Sequence, residues 1–590
     1  MIIALFFITL LALAAYGAGK SVLCRLKIFP TSPWEDYVFS SGLGLGAIAL
    51  GILLLGLSKL LYPPVLVSLA VILIVISAPH LLTLAKKLPT LRPTRWDLFF
   101  LLALLLITGL EFSLINWSPL DFDELNYHLA LPEIFFRSHA VAAIPYNIFS
   151  NFPLNVEMLY LPALAWEGAH ACRAVHLFFL LLCTITVFSM ARRYFNPRAA
   201  LFSALIFMGI PNVIRHSVLA YNDFGLLLYI LLSIHALLAW ESSQDDHWLV
   251  LSGVFCGLAV GAKYTGAINL LLLSLFIFAR TKKMKPLIVF LLPGFLLVSP
   301  WLLKNVFFVG NPVYPFLYSI FGGKYWSAFN MQRYLSIMNA YGTRDLASLP
   351  RHMTLAWEMD FPLGPALFIF LPFLLFLKRV DHRIKLLLSY AVLYFLFWVN
   401  TSPVNRFFLP AAALLCVISG YTLAGYREKS KVLYGIFVAL LLATLSYYLF
   451  VIGTGVVRGS APVKATLNEY FQTASYINQD LPRQAKLLFI GEPRAYGFNK
   501  NIVTSSMFDT APISVLVKTS ANAGEVAARL RQQGYTHLLL NQNRMVWLSS
   551  YFNYFNWESD AQKALFQRFL ESGYLREVKR IGPFRVLEIR

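Results

Sequence analysis

Asp121-Phe122-Asp123-Glu124-Leu125-Asn126-Tyr127-His128 puts three carboxylates and a histidine within eight residues, in a chain whose charged content is only 13%. These residue types can move protons: a carboxylate beside an attacking hydroxyl takes its proton as the new bond forms. On a helix, Asp123 and Tyr127 share one face and Glu124 and His128 the next, by the i, i+4 spacing. Other roles fit the same letters. Asp121-x-Asp123 supplies hard oxygen ligands of the kind Mg2+ or Mn2+ takes. Asp121, with Glu124 three residues on, also makes a capping arrangement at a helix N-terminus, where anions are favoured. Glu124 with His128 would then be an exposed pair contributing roughly a few tenths of a kcal/mol.

The elements that must hold this cluster follow from composition. The 590 residues are 58% hydrophobic and 15% aromatic, against about 25% charged and roughly half apolar in a soluble protein. A disordered chain, a coiled coil and an ordinary cytosolic enzyme are excluded; the pattern is that of a polytopic α-helical membrane protein. The net charge of +20 is no sign of nucleic-acid binding, because polytopic proteins concentrate Lys and Arg in cytoplasmic loops. The five cysteines are scattered without CxxC or Cys/His spacing, which supports neither a disulfide framework nor a zinc site. The apolar N-terminus lacks the basic start of a signal peptide and reads as a retained span.

A crossing needs about 20 apolar residues. Fourteen stretches qualify or come near, at 1–17, 37–58, 64–85, 97–116, 168–190, 199–213, 224–240, 248–262, 264–280, 286–303, 361–377, 386–400, 407–425 and 432–456. The apolar run 248–280 is too long for one ordinary helix and is split at Lys263. With fourteen crossings, the basic groups after the first, third, fifth, ninth, eleventh and thirteenth spans share one side, which the positive-inside rule makes cytoplasmic. Both termini then lie outside. Trp117, Trp166, Trp301 and Trp398 fall near span ends, as interfacial aromatics do.

Three outer segments exceed a turn: 117–167, which carries the acidic cluster, 304–360, and everything after about 457. In the last, helical patterns near 461–479, 521–533 and 559–572 alternate with strand-like runs at Lys486–Ile490, His537–Asn541 and Arg585–Ile589, the signature of a small α/β domain. Its 17 Lys or Arg against 10 Asp or Glu suit a solvated surface near anionic lipid. The division is therefore 1–96 (three additional helices), 97–456 (a transmembrane core) and 457–590 (a soluble outer domain).

The outer loop, with Asp123-Glu124 followed by Tyr127-His128, resembles the first extracytoplasmic loop of the GT-C glycosyltransferases. The likeness is to bacterial relatives of the protein O-mannosyltransferases (family 39) and to the lipid A aminoarabinose transferases. Asn151-Phe152-Pro153-Leu154 resembles their second motif, with Asn151 where the aminoarabinose transferases carry lysine. Tyr221-Asn222-Asp223, Gly257-Leu258-Ala259, Lys263-Tyr264-Thr265-Gly266, Pro300-Trp301, Lys304-Asn305, Gly310-Asn311-Pro312 and Arg406-Phe407-Phe408-Leu409-Pro410 are similar in order and sidedness. The likeness spans roughly 97–456, eleven of the fourteen crossings.

The resemblance implies a hexosyl- or pentosyltransferase in the bacterial inner membrane, with its site and C-terminal domain facing the periplasm or cell exterior. Its donor would be a polyprenyl-phosphate sugar and its acceptor a lipid, glycan or protein hydroxyl. Asp123 would be the catalytic base, with Glu124 beside it. Tyr127, His128, Lys263, Lys304, Arg406 and Asp223 are candidates for donor phosphate or substrate, and Asp121 and Asp123 for any divalent metal. Each has a plainer reading: Lys263 and Arg406 as interfacial anchors, Asp223 as a helix N-cap, Glu157 as a packing or ion-pair residue. Within 304–360, nothing ranks Lys304, Arg333, Arg344, His352, Glu358 and Asp360. The rival reading is a lipid-linked saccharide flippase, which would be expected to place ionisable groups near mid-membrane in repeated halves. The sequence shows neither.

Overall fold

The computed structural model describes residues 2–87, 93–115, 121–340, 345–356, 361–454 and 461–590. Trp117, Arg344, Glu358 and Asp360 fall outside them.

Among the described residues, eleven helices are long and apolar enough to cross a membrane; the pair Pro197–Met208 and Pro211–Ser217, bent by 66°, is long and apolar enough only when taken together, as a broken span or a re-entrant loop. Every one of the fourteen expected stretches contains helix, but two fall short of a full span. Asp246–Ala262 has 17 residues. The stretch 361–377 forms only the turns Ala366–Ile369 and Pro372–Phe376. Proline explains the second case: Pro362, Pro365 and Pro372 remove backbone donors and restrict the residue before each. The split at Lys263 is present, for that residue is extended between Asp246–Ala262 and the turn Tyr264–Gly266, which leads into Ala267–Thr281.

Caps set several helix starts. Ser32 accepts from the Glu35 N–H ahead of Pro33–Leu57, Thr94 and Asp97 form a capping box, and Asn196 caps Pro197–Met208. Helices Ala169–Tyr194, Asp223–Ser243 and Leu409–Lys429 are buried on nearly every side, whereas Pro63–Lys87 and Arg95–Leu114 leave most of their apolar surface outward, as lipid-facing helices do.

The three N-terminal helices pack on this core. Small residues let the first two approach closely: a Cβ on Gly19 would lie 1.7 Å from the Ser40 carbonyl oxygen, and one on Gly44 would lie 1.8 Å from that of Ala15. At one end, Glu35 pairs with Arg193 and Asp97 with Arg192, both at 2.6 Å.

The C-terminal domain is a five-stranded sheet in the order β2-β1-β3-β5-β4, with β1 Lys486–Ile490, β2 Asn501–Val503, β3 His537–Asn541, β4 Leu575–Ile581 and β5 Phe584–Ile589. β1 is parallel to β2 and β3, while β5 is antiparallel to β3 and β4. All five residues of β3 are buried, as expected for a central strand covered on both faces. Two helices without a clear sequence period, Pro512–Lys518 and Gln542–Phe552, complete it. The second reaches the site.

Candidate active site

Glu124–His128 forms a π-helical turn leading into helix Ala130–Arg137. π-turns are rare and concentrate at functional sites. The expected division of faces holds. Asp123 and Tyr127 line a cavity of about 980 Å3, and neither Glu124 nor His128 does.

The cavity lies between the transmembrane helices and the C-terminal domain. Asp121, Asp123 and Tyr127 come from the first outer loop; Arg215, Tyr221, Lys263 and Arg406 from helix ends; Tyr334, Leu335 and Met338 from helix Ala328–Ala340. Met507, Phe508, Arg544 and Trp547 come from the C-terminal domain.

Arg406 donates to Asp123 Oδ2 at 2.9 Å, and its guanidinium lies 5.1 Å over the Tyr221 ring. Burial raises the Asp123 carboxyl above the usual carboxylate range, helped by the neighbouring Asp121 charge and opposed by Arg406. Asp121 is also buried, yet Arg215 at 3.5 Å, a hydrogen bond from the Tyr221 hydroxyl and the charge of Arg406 hold it below its ordinary value. Two neighbouring carboxyls are thus pushed apart, the usual way a site obtains one group that takes a proton and one that stays charged. Asp121 also accepts from the Asp123 backbone N–H at 3.2 Å, so the local capping role and the cavity position coexist.

Lys263 lines the cavity, donates to Asp223 at 2.9 Å and lies over the Phe407 ring at 4.6 Å. Asp223 is the first residue of its helix; Asn222 is the cap residue, without a side-chain cap bond, so the expected N-cap role for Asp223 gives way to an ion pair. Tyr127 stacks on Phe149 with centroids 4.0 Å apart.

Four expected site residues are not in the cavity wall: Asp223, which lies behind Lys263 as its partner, and Glu124, His128 and Lys304. Glu124 is fully buried and held by Arg173 at 2.7 and 2.9 Å, with the Ala220 N–H on the same carboxylate. His128 is buried at 2.7 Å from Glu157. Burial lowers the histidine well below its ordinary value and raises Glu157 to about 8. Lys304 is buried and donates to the Ser150 carbonyl at 2.7 Å, with Asn151 Oδ1 3.5 Å away. It ties the Asn151-Phe152-Pro153-Leu154 segment to helix Met284–Val309 and does not reach the cavity.

Sequence reasoning passed over Arg173, Arg215, Arg544 and Trp547, and took Tyr221 only as part of the Tyr221-Asn222-Asp223 motif. A signal existed for Arg173, a lone charge inside an apolar crossing, which usually marks a paired or functional group. Arg215 sits just beyond the 199–213 stretch and reads there as an anchor. The last two lie on a helix without periodicity in a separate domain, and only its docking brings them in.

As a metal site the aspartates are a poor set. Asp121 and Asp123 are engaged by Arg215, Tyr221 and Arg406, and among the described residues no group of three or more His, Cys, Asp or Glu is placed to hold a metal ion.

With the geometry established, comparison with known proteins is specific about fold. Residues 162–303 match the family model of dolichyl-phosphate-mannose-protein mannosyltransferases. No match was found among curated proteins. ArnT from Cupriavidus metallidurans in its apo state superposes with a TM-score of 0.56 at 15% identity, covering 83% of this chain and 97% of that one. The same protein bound to undecaprenyl phosphate gives 0.54 at 14%, covering 84% and 98%. The Archaeoglobus fulgidus oligosaccharyltransferase aligns more loosely, with a TM-score of 0.45 at 14% identity over 74% of this chain and 69% of that one. The chain is a polytopic membrane protein with the GT-C fold, similar to ArnT over most of its length and to the mannosyltransferase family model over residues 162–303.

Proposed function

We propose that the protein is an inverting glycosyltransferase that moves a sugar from a polyprenyl-phosphate carrier to a hydroxyl acceptor on the outer face of the bacterial inner membrane. The observation that carries this reading is the Asp123–Arg406 pair in a cavity of about 980 Å3. That cavity opens between membrane helices and an outer domain, and combines a carboxyl above its usual range with cations. The undecaprenyl phosphate in the ArnT structure supports a donor of that class.

In this mechanism Asp123 takes the acceptor hydroxyl proton while the oxygen attacks the anomeric carbon. The bond from that carbon to the phosphate oxygen breaks, and the departing lipid phosphate keeps the electron pair. Arg406 and Lys263 stabilise the charge it gains, as fixed donors do at a developing oxyanion. The Asp123–Arg406 contact couples the two events. Protonating Asp123 cancels the carboxylate that holds Arg406, so its charge becomes available as the phosphate leaves. Phe152, Tyr264, Phe316, Phe397 and Trp398 give the cavity apolar walls suited to the lipid chain.

The test is transfer of radiolabelled sugar from polyprenyl phosphate to extracted envelope acceptors by the purified full chain in lipid nanodiscs. Labelled product is expected. Transport of the intact lipid-linked sugar across vesicles, without transfer, would establish the flippase reading instead.

A further inference from the structure

Arg544 differs from the other cations of the cavity. Arg406 has Asp123 at 2.9 Å, Lys263 has Asp223 at 2.9 Å, and Arg215 has Asp121 at 3.5 Å. These three pairs balance one another. Among the described residues, no carboxylate lies within ion-pair distance of Arg544. The carboxylate whose charge acts on it, Glu492, has both oxygens on Arg494, at 2.7 Å to each, and accepts from the Asn541 amide at 2.7 Å. Glu492 thus faces two arginines, bonded to Arg494 and felt by Arg544 only through its charge, and the group Glu492, Arg494 and Arg544 is left with a net positive charge at the cavity wall.

Its placement says which ligand that charge would meet. Arg544 belongs to helix Gln542–Phe552 of the C-terminal domain, whereas the other cations of the wall, Arg215, Lys263 and Arg406, come from the membrane domain. Its guanidinium lies 4.7 Å over the ring of Phe122, the residue between Asp121 and Asp123. A group bound by Arg544 is thus brought beside the base. Trp547, three residues on and therefore on the same helical face, also lines the cavity, as do Met507 and Phe508. An aromatic plane next to a guanidinium suits a sugar ring that carries an anion, and the apolar surroundings strengthen the charge–charge interaction.

We propose that Arg544 and Trp547 form the acceptor subsite of this cavity, and that the acceptor carries an anionic group, a phosphate or a carboxylate, next to the hydroxyl that is glycosylated. This rests on the transferase reading above. It makes the C-terminal domain part of the substrate site and assigns the acceptor a chemical class.

The experiment divides a native-host extract of envelope lipids and glycans into neutral and anionic pools on an anion-exchange resin. Each pool is offered to the full chain in nanodiscs with radiolabelled polyprenyl-phosphate sugar. The wild type should label the anionic pool at least about tenfold more than the neutral pool, the size of one charge-assisted contact. In Arg544→Ala that preference should fall toward one through a raised acceptor KM, and Arg544→Lys should restore part of it. Carbodiimide neutralisation of the anionic pool abolishes labelling if the group is a carboxylate and spares it if it is a phosphate. Equal labelling of both pools by the wild type, or a preference unchanged in Arg544→Ala, overturns the subsite. Equal loss of donor KM in Arg544→Ala also overturns it, because Arg544 would then serve the donor. No labelling of either pool by the wild type overturns the transferase reading itself, a result the other outcomes cannot imitate.

Discussion

Asp123 and Asp121 are adjacent carboxyls with opposite displacements, and that difference can be measured. Asp123→Asn keeps the size and the contact with Arg406 but cannot accept a proton. Transfer should fall about 10²- to 10⁴-fold with thermal stability retained, and normal turnover by this variant would remove Asp123 from the chemistry. The acid limb of kcat/KM should lie above the ordinary aspartate value of about 3.9, because burial and Asp121 raise Asp123. The base must be unprotonated, so activity falls as pH falls through that raised value. Asp121→Asn deletes the anionic neighbour and should move the limb to lower pH; an unmoved or raised limb would contradict the coupling. Glu124 behaves differently. Fully buried and bound by Arg173, it positions the loop, and Glu124→Ala leaves a buried guanidinium uncompensated, a loss of about 3–5 kcal/mol. Thermal unfolding of the detergent-solubilised protein should show that loss; a variant with wild-type Tm and lost activity would return Glu124 to the reacting groups.

Among the elements, helix Ala328–Ala340 and the loop at Ile148–Asn151 meet the C-terminal domain through two buried groups. Arg333 donates to the Phe508, Asp509, Asn553 and Tyr554 carbonyls, and the Asp509 carboxylate accepts from the Ile148 N–H at 3.0 Å and from Ser506. Burial raises Asp509 to about 7, against about 3.9 in the unfolded chain. The folded state holds this proton more tightly, so its contribution to stability is full below about pH 4 and is lost as pH rises to about 7. Asp509→Asn mimics the protonated form and should remove that slope. Melting curves of both proteins from pH 4.5 to 8 would reveal it as a difference that grows in favour of the variant with pH. Parallel curves would mean that Asp509 titrates normally.

For the whole molecule, sidedness decides whether a lipid-borne donor is needed at all. The sequence leads one to expect fourteen crossings with basic loops inside, which would put 117–167, 304–360 and 457–590 on one outer face; among the described residues eleven helices and one bent pair have the length and apolarity to cross, and the fold brings parts of all three segments to one cavity. Single cysteines at Ser138, Ser348 and Ser520, in a background without the native five, should each react with an impermeant thiol reagent in intact cells. Protection of the Ser138→Cys variant until the membrane is opened would place Asp123 in the cytoplasm and withdraw the lipid-donor argument.

Composition, span periodicity and charge asymmetry by themselves determined that this is a helical membrane protein, where its helices run, that 248–280 breaks at Lys263, and that an α/β domain follows. Strands β1, β3 and β5 lie where their apolar runs put them, because apolar burial and backbone pairing act over a few residues at a time. The short edge strand β2, the exposed strand β4 and helix Gln542–Phe552 lack such a pattern, and were not legible. The acidic motif was visible as a cluster, and its helical spacing assigned Asp123 and Tyr127 to one face and Glu124 and His128 to another. Only the tertiary structure decided what each face meets. Glu124 finds Arg173 49 residues away, Asp123 finds Arg406 283 residues away, and Phe122 finds Arg544 in another domain. Ionisable groups act through space over a few ångströms, so their roles depend on which distant segments the fold delivers to them, and no local period in the sequence encodes that choice.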